Sequence, residues 1–201
     1  MIRYILLAAS SIALVRAISW QDCSTTRSTD AVTFTKLEAS PTKITFPGDL
    51  HLNLSLTFKR PLDHAYLDID IYRMIFGFPL KVPCLNGTIV GSCRNIDACR
   101  IFRSILNDPN HQDDYGHQAE SIMLHALGHY MQCPLQAETV LVENAVAHLD
   151  PIPAIVGFLA DGNYMITARA KQKVDGPYDI GCIKLNVTIG LGPVDAGAIV
   201  G

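Results

Sequence analysis

Leu50-His51-Leu52-Asn53-Leu54-Ser55-Leu56-Thr57-Phe58 decides the fold class. Every even position is leucine or phenylalanine and every odd one is polar, the period of two that turns one face of a β-strand to a core and the other to water. On a helix the same leucines would be smeared around the whole circumference. The alternation returns at Ile183, Leu185, Val187 and Ile189 against Lys184, Asn186 and Thr188, and at Leu67, Ile69 and Ile71 against Asp68, Asp70 and Tyr72. Asp68 and Asp70 read there as a solvated strand face. Weaker strands are expected over 32–38, 43–46, 79–83, 139–148 and 164–173. Turns are expected at Pro47-Gly48-Asp49, Asp161-Gly162-Asn163 and Asp175-Gly176-Pro177. Many short strands at this spacing imply a mainly β chain folded as a sandwich or an open barrel. One short helix is predicted from Asn95 to Leu106, with Asn95 as its cap and Ile96, Cys99, Phe102, Ile105 and Leu106 on one face. Residues 107–132, rich in His, Asp and Gln around Ile122-Met123-Leu124 and Leu127, read as a long, partly helical loop that leaves the sheet.

The first residues add a compartment. Arg3 precedes an apolar run from Ile5 to Val15 that is too short to cross a bilayer, and Val15 and Ala17 suit the small-residue cleavage rule. Residues 1–17 are therefore expected to be a signal peptide, followed by one domain over 18–190 and a short tail over 191–201. Sequons at Asn53, Asn86 and Asn186 fit that route, and Asn53 and Asn186 fall on the polar sides of their strands. Six cysteines in an exported chain favour three disulfides, of which sequence alone leaves fifteen arrangements open. Removing Arg3 and Arg16 with the leader takes the formal charge from −3 to about −5, which excludes a nucleic-acid-binding role. All seven histidines follow the leader, and protonating them would carry that charge to about +2, favouring anionic membranes at acid pH.

Catalytic chemistry finds little purchase. His125-Ala126-Leu127-Gly128-His129 has the four-residue histidine spacing of a zinc helix, with His117 or Glu120 available as a third ligand, but Ala126 stands where a hydrolase needs its glutamate base. No G-x-S-x-G elbow occurs, and the serine of Gly91-Ser92-Cys93 lies beside a cysteine expected to be oxidised. Paired thiols leave no cysteine nucleophile. The expectation is a non-enzymatic protein with no catalytic residue, metal or cofactor. Met74-Ile75-Phe76-Gly77-Phe78 and Ile152-Pro153-Ala154-Ile155-Val156-Gly157-Phe158-Leu159 do not alternate, and read either as core or as exposed rims.

Several short stretches then run in a familiar order. They are Ser19-Trp20-Gln21-Asp22-Cys23, Phe46-Pro47-Gly48-Asp49-Leu50, Leu80-Lys81-Val82-Pro83-Cys84, Val90-Gly91-Ser92-Cys93, Asp97-Ala98-Cys99, Cys133-Pro134, Gly162-Asn163-Tyr164 and Gly181-Cys182-Ile183-Lys184. Across nearly the whole mature chain this resembles the MD-2-related lipid-recognition family, in its ganglioside-activator branch. The resemblance implies disulfides Cys23–Cys182, Cys84–Cys93 and Cys99–Cys133. A further bridge of that branch has no counterpart between Asn107 and Gln132. It also implies a β-cup with an apolar lipid cavity, lysosomal or extracellular residence, and a glycosphingolipid or phospholipid partner. Transient contact with a membrane surface would follow, with presentation of the lipid to a lysosomal hexosaminidase-type glycosidase or, in another branch, to a receptor. Exposing about thirty methylenes to water would cost on the order of 24 kcal/mol, so such a role needs an apolar cavity. Lipid tails are then expected against Leu52, Leu54, Leu56, Phe58, Leu67, Ile69, Ile71, Ile166, Ile183, Leu185 and Val187. The membrane-contacting rim is expected at Phe76, Phe78, Ile155, Val156, Phe158 and Leu159.

Overall fold

The computed structural model describes residues 18–25, 29–85, 90–108, 114–151 and 161–192. The leader, the Asn86 sequon, the rim positions Ile155, Val156, Phe158 and Leu159, and the tail beyond residue 192 lie outside them.

Two sheets face each other. The smaller is antiparallel and orders β2 (Val32–Ser40), β4 (Gly48–Phe58) and β8 (Thr139–Leu149) side by side. The larger orders β1 (Ile18–Asp22), β10 (Gly181–Leu191), β9 (Gly162–Lys171), β5 (Tyr66–Ile75) and β6 (Phe78–Lys81). Its seven strands are completed by β3 (Ile44–Phe46), parallel to the end of β10, and by β7 (Ile96–Asp97), which pairs with the start of β5. Leu54, Leu56 and Phe58 of β4 join Val32, Leu62, Val140, Val142 and Ile180 in one core cluster, while Leu50 packs in a second with Ile18, Ile44, Tyr164 and Val187.

Two bulges explain why the partners of β4 alternate less cleanly in the sequence. In β2 the inward residues are Val32 and Phe34 before the register shift and Leu37 and Ala39 after it. In β8 they are Val140 and Val142, then Ala145 and Leu149, because an extra residue enters opposite Asn53. Asn144 takes the left-handed conformation there at φ 53°, and its N–H donates to Asn53 Oδ1 at 2.8 Å.

Among the described residues, one helix lies where the short helix was expected and a second within the excursion read as partly helical. α1 (Ala98–Leu106) is capped by Asp97, whose carboxylate accepts from the Arg100 N–H at 2.9 Å. Asn95 is not the cap. It sits at φ 51° and donates its N–H to Asp68 Oδ1 at 2.7 Å. Within the long excursion lies α2 (Asp114–Leu127), which places Ile122, Met123, Ala126 and Leu127 against the first core cluster. Gly128, at φ 77°, ends α2 by donating its N–H to the Leu124 carbonyl. Side chains of α2 also close the open edge of β8. Gln118 bonds both the N–H and the C=O of His148, and Tyr115 does the same at Asp150.

Three disulfides staple the chain: Cys23–Cys182 ties the end of β1 to its neighbour β10, Cys84–Cys93 closes a local loop, and Cys99–Cys133 holds α1 to the segment before β8.

Candidate functional site

Small side chains open a hole between the sheets. Ala168 and Ala170 of β9, Gly181 of β10, Ala65, and Ala98 of α1 border a cavity of about 180 Å³. Phe34, Phe58, Leu62, Leu67, Phe102 and Leu135 supply its larger walls, and no charged side chain lines it. An engineered apolar cavity of ~150 Å³ stays dry and takes benzene, so this one suits a guest of about six carbons.

Four of the expected cavity residues, Leu56, Phe58, Leu67 and Ile183, line this space. Leu54 packs against the same core cluster, while Ile71, Ile166, Leu185 and Val187 belong to the second cluster, farther along the same strands. Leu52 and Ile69 stand in neither cluster and remain half-buried. The cavity is thus confined to one end of the sandwich, and it is far smaller than thirty methylenes require. What the alternation did not reveal is the lining by alanine and glycine, since such residues carry no hydrophobic pattern of their own.

A separate apolar surface lies at the end of β5 opposite the cavity-lining Leu67. Ile75, Phe78 and Leu80 are exposed on the β5–β6 hairpin, and Phe76 at its tip is 98 % exposed. The turn joins Ile75 to its partner Phe78 through Phe76 and Gly77 at φ 50° and 85°, the two positive values of a type I′ turn. That turn favours Asn-Gly, because a bulky residue in the left-handed region is strained. An aromatic ring held there, with no packing to offset it, points to a use outside the fold.

The outer face of β5 overturns one expectation. Asp68 and Asp70 are buried, at 2 % and 7 % exposure, and not solvated. The chain over 94–97 and the Tyr178 ring cover them. Asp68 accepts from the Asn95 N–H, Tyr178 Oη and Lys171 Nζ at 2.7, 2.8 and 3.0 Å. Asp70 accepts from Arg94, Arg169 and Lys81 at 2.6, 2.8 and 3.1 Å. Burial alone would raise both carboxyls, but these bonds outweigh it, lowering Asp68 and holding Asp70 at about 2. The cluster fixes β5 to β9 and to the chain leading into α1, and so positions the cavity wall.

The histidine pair does not form a shared face. α2 ends between the two, leaving His125 exposed on its last turn and His129 beyond Gly128. There His129 meets Glu138 at 3.0 Å. Bonding to the Tyr130 carbonyl and to Glu138 raises the His129 pKa above its usual value. His117, expected as a solvated loop residue or a third ligand, lies on α2 and packs beside Asp108 and Glu120 at 3.5 and 3.6 Å. Among the described residues no group of three or more His, Cys, Asp or Glu is gathered to hold a metal. Of the two described sequons, Asn186 is exposed and donates to Ser19 Oγ, and Asn53 is half-buried.

No family model matches the chain, and neither does any curated protein. Among solved structures, it is similar to a Niemann-Pick type C2 protein from the Japanese carpenter ant, at 12 % identity and TM-score 0.40, covering 85 % of this chain and 98 % of that one. It is also similar to chicken MD-1 in complex with lipid IVa, at 14 % identity and TM-score 0.39, covering 85 % and 88 %. Likeness this loose leaves function to be argued from the chain's own geometry.

Proposed function

We propose that this protein is a non-enzymatic, lipid-binding protein of the secretory route that holds an aliphatic tail between its two sheets and meets membranes through the β5–β6 hairpin. The observation that carries the reading is the unfilled, apolar-walled cavity bounded by Ala65, Ala98, Ala168, Ala170 and Gly181. Protein interiors are normally packed as tightly as organic crystals, so a hole of this size in a domain of this length is a site to be filled. Burying about six methylenes there yields about 5 kcal/mol, a sub-millimolar grip before any other contact. Leu56, Phe58, Leu67 and Ile183 line that space, with Leu54 packed in the same core cluster. Leu52, Ile69, Ile71, Ile166, Leu185 and Val187 lie outside it, so the length of tail held is set by the cavity's own walls.

Phe76 and Phe78 supply the membrane contact, and Ile155, Val156, Phe158 and Leu159 are its further candidates from the sequence. Three disulfides suit an oxidising compartment, the extracellular space or the lysosome. Extraction of a glycosphingolipid and its delivery to a hexosaminidase-type glycosidase is the finer form of the reading, and it rests on the sequence resemblance. Native mass spectrometry of protein secreted by eukaryotic cells and purified without detergent tests the coarser form. A co-purifying lipid mass is expected. Protein that is empty, and that also fails to move fluorescent lipid between liposomes, refutes it.

A further inference from the structure

We infer that Phe102 of α1 is a partition that sets the chain length the cavity accepts, with the gap between α1 and α2 as a second chamber behind it. The inference rests on the lipid-binding reading above. Phe102 lines the 180 Å³ cavity and also lines a separate space of about 70 Å³ walled by Ile105, Gly116, Ala119, Met123 and Met131, and by Glu120, whose carboxylate lies 3.6 Å from His117 Nδ1. One aromatic ring therefore stands between an apolar room and a smaller one that is apolar but for Glu120.

Three features make that wall movable. Gly116, Ala119 and Met123 recur at the three-to-four-residue spacing of one helical face, so α2 turns its smallest residues toward Phe102. Met123 and Met131 have flexible thioether chains that repack around a shifted ring. No residue of α2 is fully buried: Ile122, Met123, Ala126 and Leu127 pack against the core only partly covered, and its first turns are held by bonds, Tyr115 to Asp150, Gln118 to His148 and His117 beside Asp108. A helix pinned this way yields locally at less cost than a core strand. Taking a methylene as roughly the ~30 Å³ that a water occupies, the first chamber holds about six and the second adds about two.

The test titrates delipidated full chain with a saturated fatty-acid series, read by displacement of 1-anilinonaphthalene-8-sulfonate. In the wild type, affinity is expected to rise about fourfold per methylene and then level off. Phe102→Ala opens the second chamber and also vacates the space of its own ring, so affinity should continue rising for at least about two further methylenes, a gain of roughly fifteenfold or more for the longer chains. Phe102→Leu should show a smaller gain in the same direction and guards against a folding defect in the alanine variant. Adding Ala119→Phe to Phe102→Ala refills the second chamber and should cancel the gain. A plateau unmoved in both Phe102 variants overturns the partition, and a gain that survives Ala119→Phe overturns the second chamber. Wild-type protein that binds no chain of any length sinks the lipid-binding reading itself, a distinguishable failure.

Discussion

Replacing Ala168 by leucine separates a cavity made for a guest from a packing fault. Ala168 lies on β9 between Ile69 of β5 and Ile183 of β10, and its methyl borders the cavity. Leucine adds three carbons there, roughly 90 Å³ at ~30 Å³ each. That is about half of the 180 Å³ available. A bound chain must then give up about three methylenes, weakening it by about 2.4 kcal/mol, or roughly sixtyfold. The protein itself should move the other way. Burying the same three carbons stabilises by up to about 2.4 kcal/mol, less about 0.5–1 kcal/mol for ordering the leucine, leaving a net gain of about 1.5 kcal/mol or a neutral result. Urea denaturation measures the second quantity and fatty-acid titration the first. Opposite signs are the signature, because a merely damaged protein loses both. If Ala168→Leu is destabilised by more than about 1 kcal/mol, as an overpacked core would be, the space is not there and the reasoning fails. Unchanged binding in a stable variant refutes it equally.

Other perturbations test the shell. Asp70 is held at about 2, below its ordinary 3.8, so its contribution of about 2 kcal/mol is present above pH ~4 and lost as pH falls toward ~2. Asp70→Asn should flatten the acid limb of a stability–pH curve, and an unaltered limb would count against the cluster. Phe76→Asn creates the Asn-Gly pair that a type I′ turn prefers, so stability should hold or rise by up to ~1 kcal/mol while sedimentation with liposomes falls; retained liposome binding would remove the hairpin from the membrane contact. His129 should titrate above its ordinary 6.5 by nuclear magnetic resonance, and Glu138→Gln should bring it down. A raised folded value places this stabilisation at low pH and removes it as pH climbs through the folded pKa. Liposome binding should therefore strengthen less on acidification than a count of histidines suggests, since His129 already holds its proton to higher pH beside Glu138.

The strands of highest contrast were legible because one side of each faces the other sheet, so water and core impose the period directly. β4 and β10 follow their alternation, with Leu50, Leu54, Leu56, Phe58, Leu185, Val187 and Ile189 in the core clusters. β5 deceives, since its polar side is covered by the chain over 94–97 and by Tyr178, and a buried ion cluster has the same letters as a wet face. β2 and β8 hide their inward residues behind bulges that shift the parity midway. α2 was half-visible, as its apolar residues are few and it settles on a sheet edge, using Gln118 and Tyr115 where a core helix would use leucines. The bridges could not be chosen from six cysteines by chemistry alone, and the implied pairing came from the ordered motifs around them. The cavity was least legible of all, because it is made by what Ala168, Ala170 and Gly181 lack.

That hole has a cost which the covalent frame can meet. At the ~24 cal/mol per Å³ of a fully enclosed void, leaving about 180 Å³ unfilled forgoes up to about 4 kcal/mol, a large part of the 5–15 kcal/mol by which domains are stable. Cys23 and Cys182 stand 159 residues apart, and closing a loop of that length removes about 5 kcal/mol of chain entropy from the unfolded state in the simple loop model. One bridge therefore offsets the hollow, and it does so from its edge, where Cys182 of β10 is part of the cavity wall. A sandwich lacking that staple would be driven to fill Ala168 and Ala170 with larger residues and so close the site. On the proposed lipid-binding function the bridges let the interior stay unfinished for a chain of hydrocarbon, and ligand binding should then raise the stability of the whole domain in proportion to the methylenes it buries.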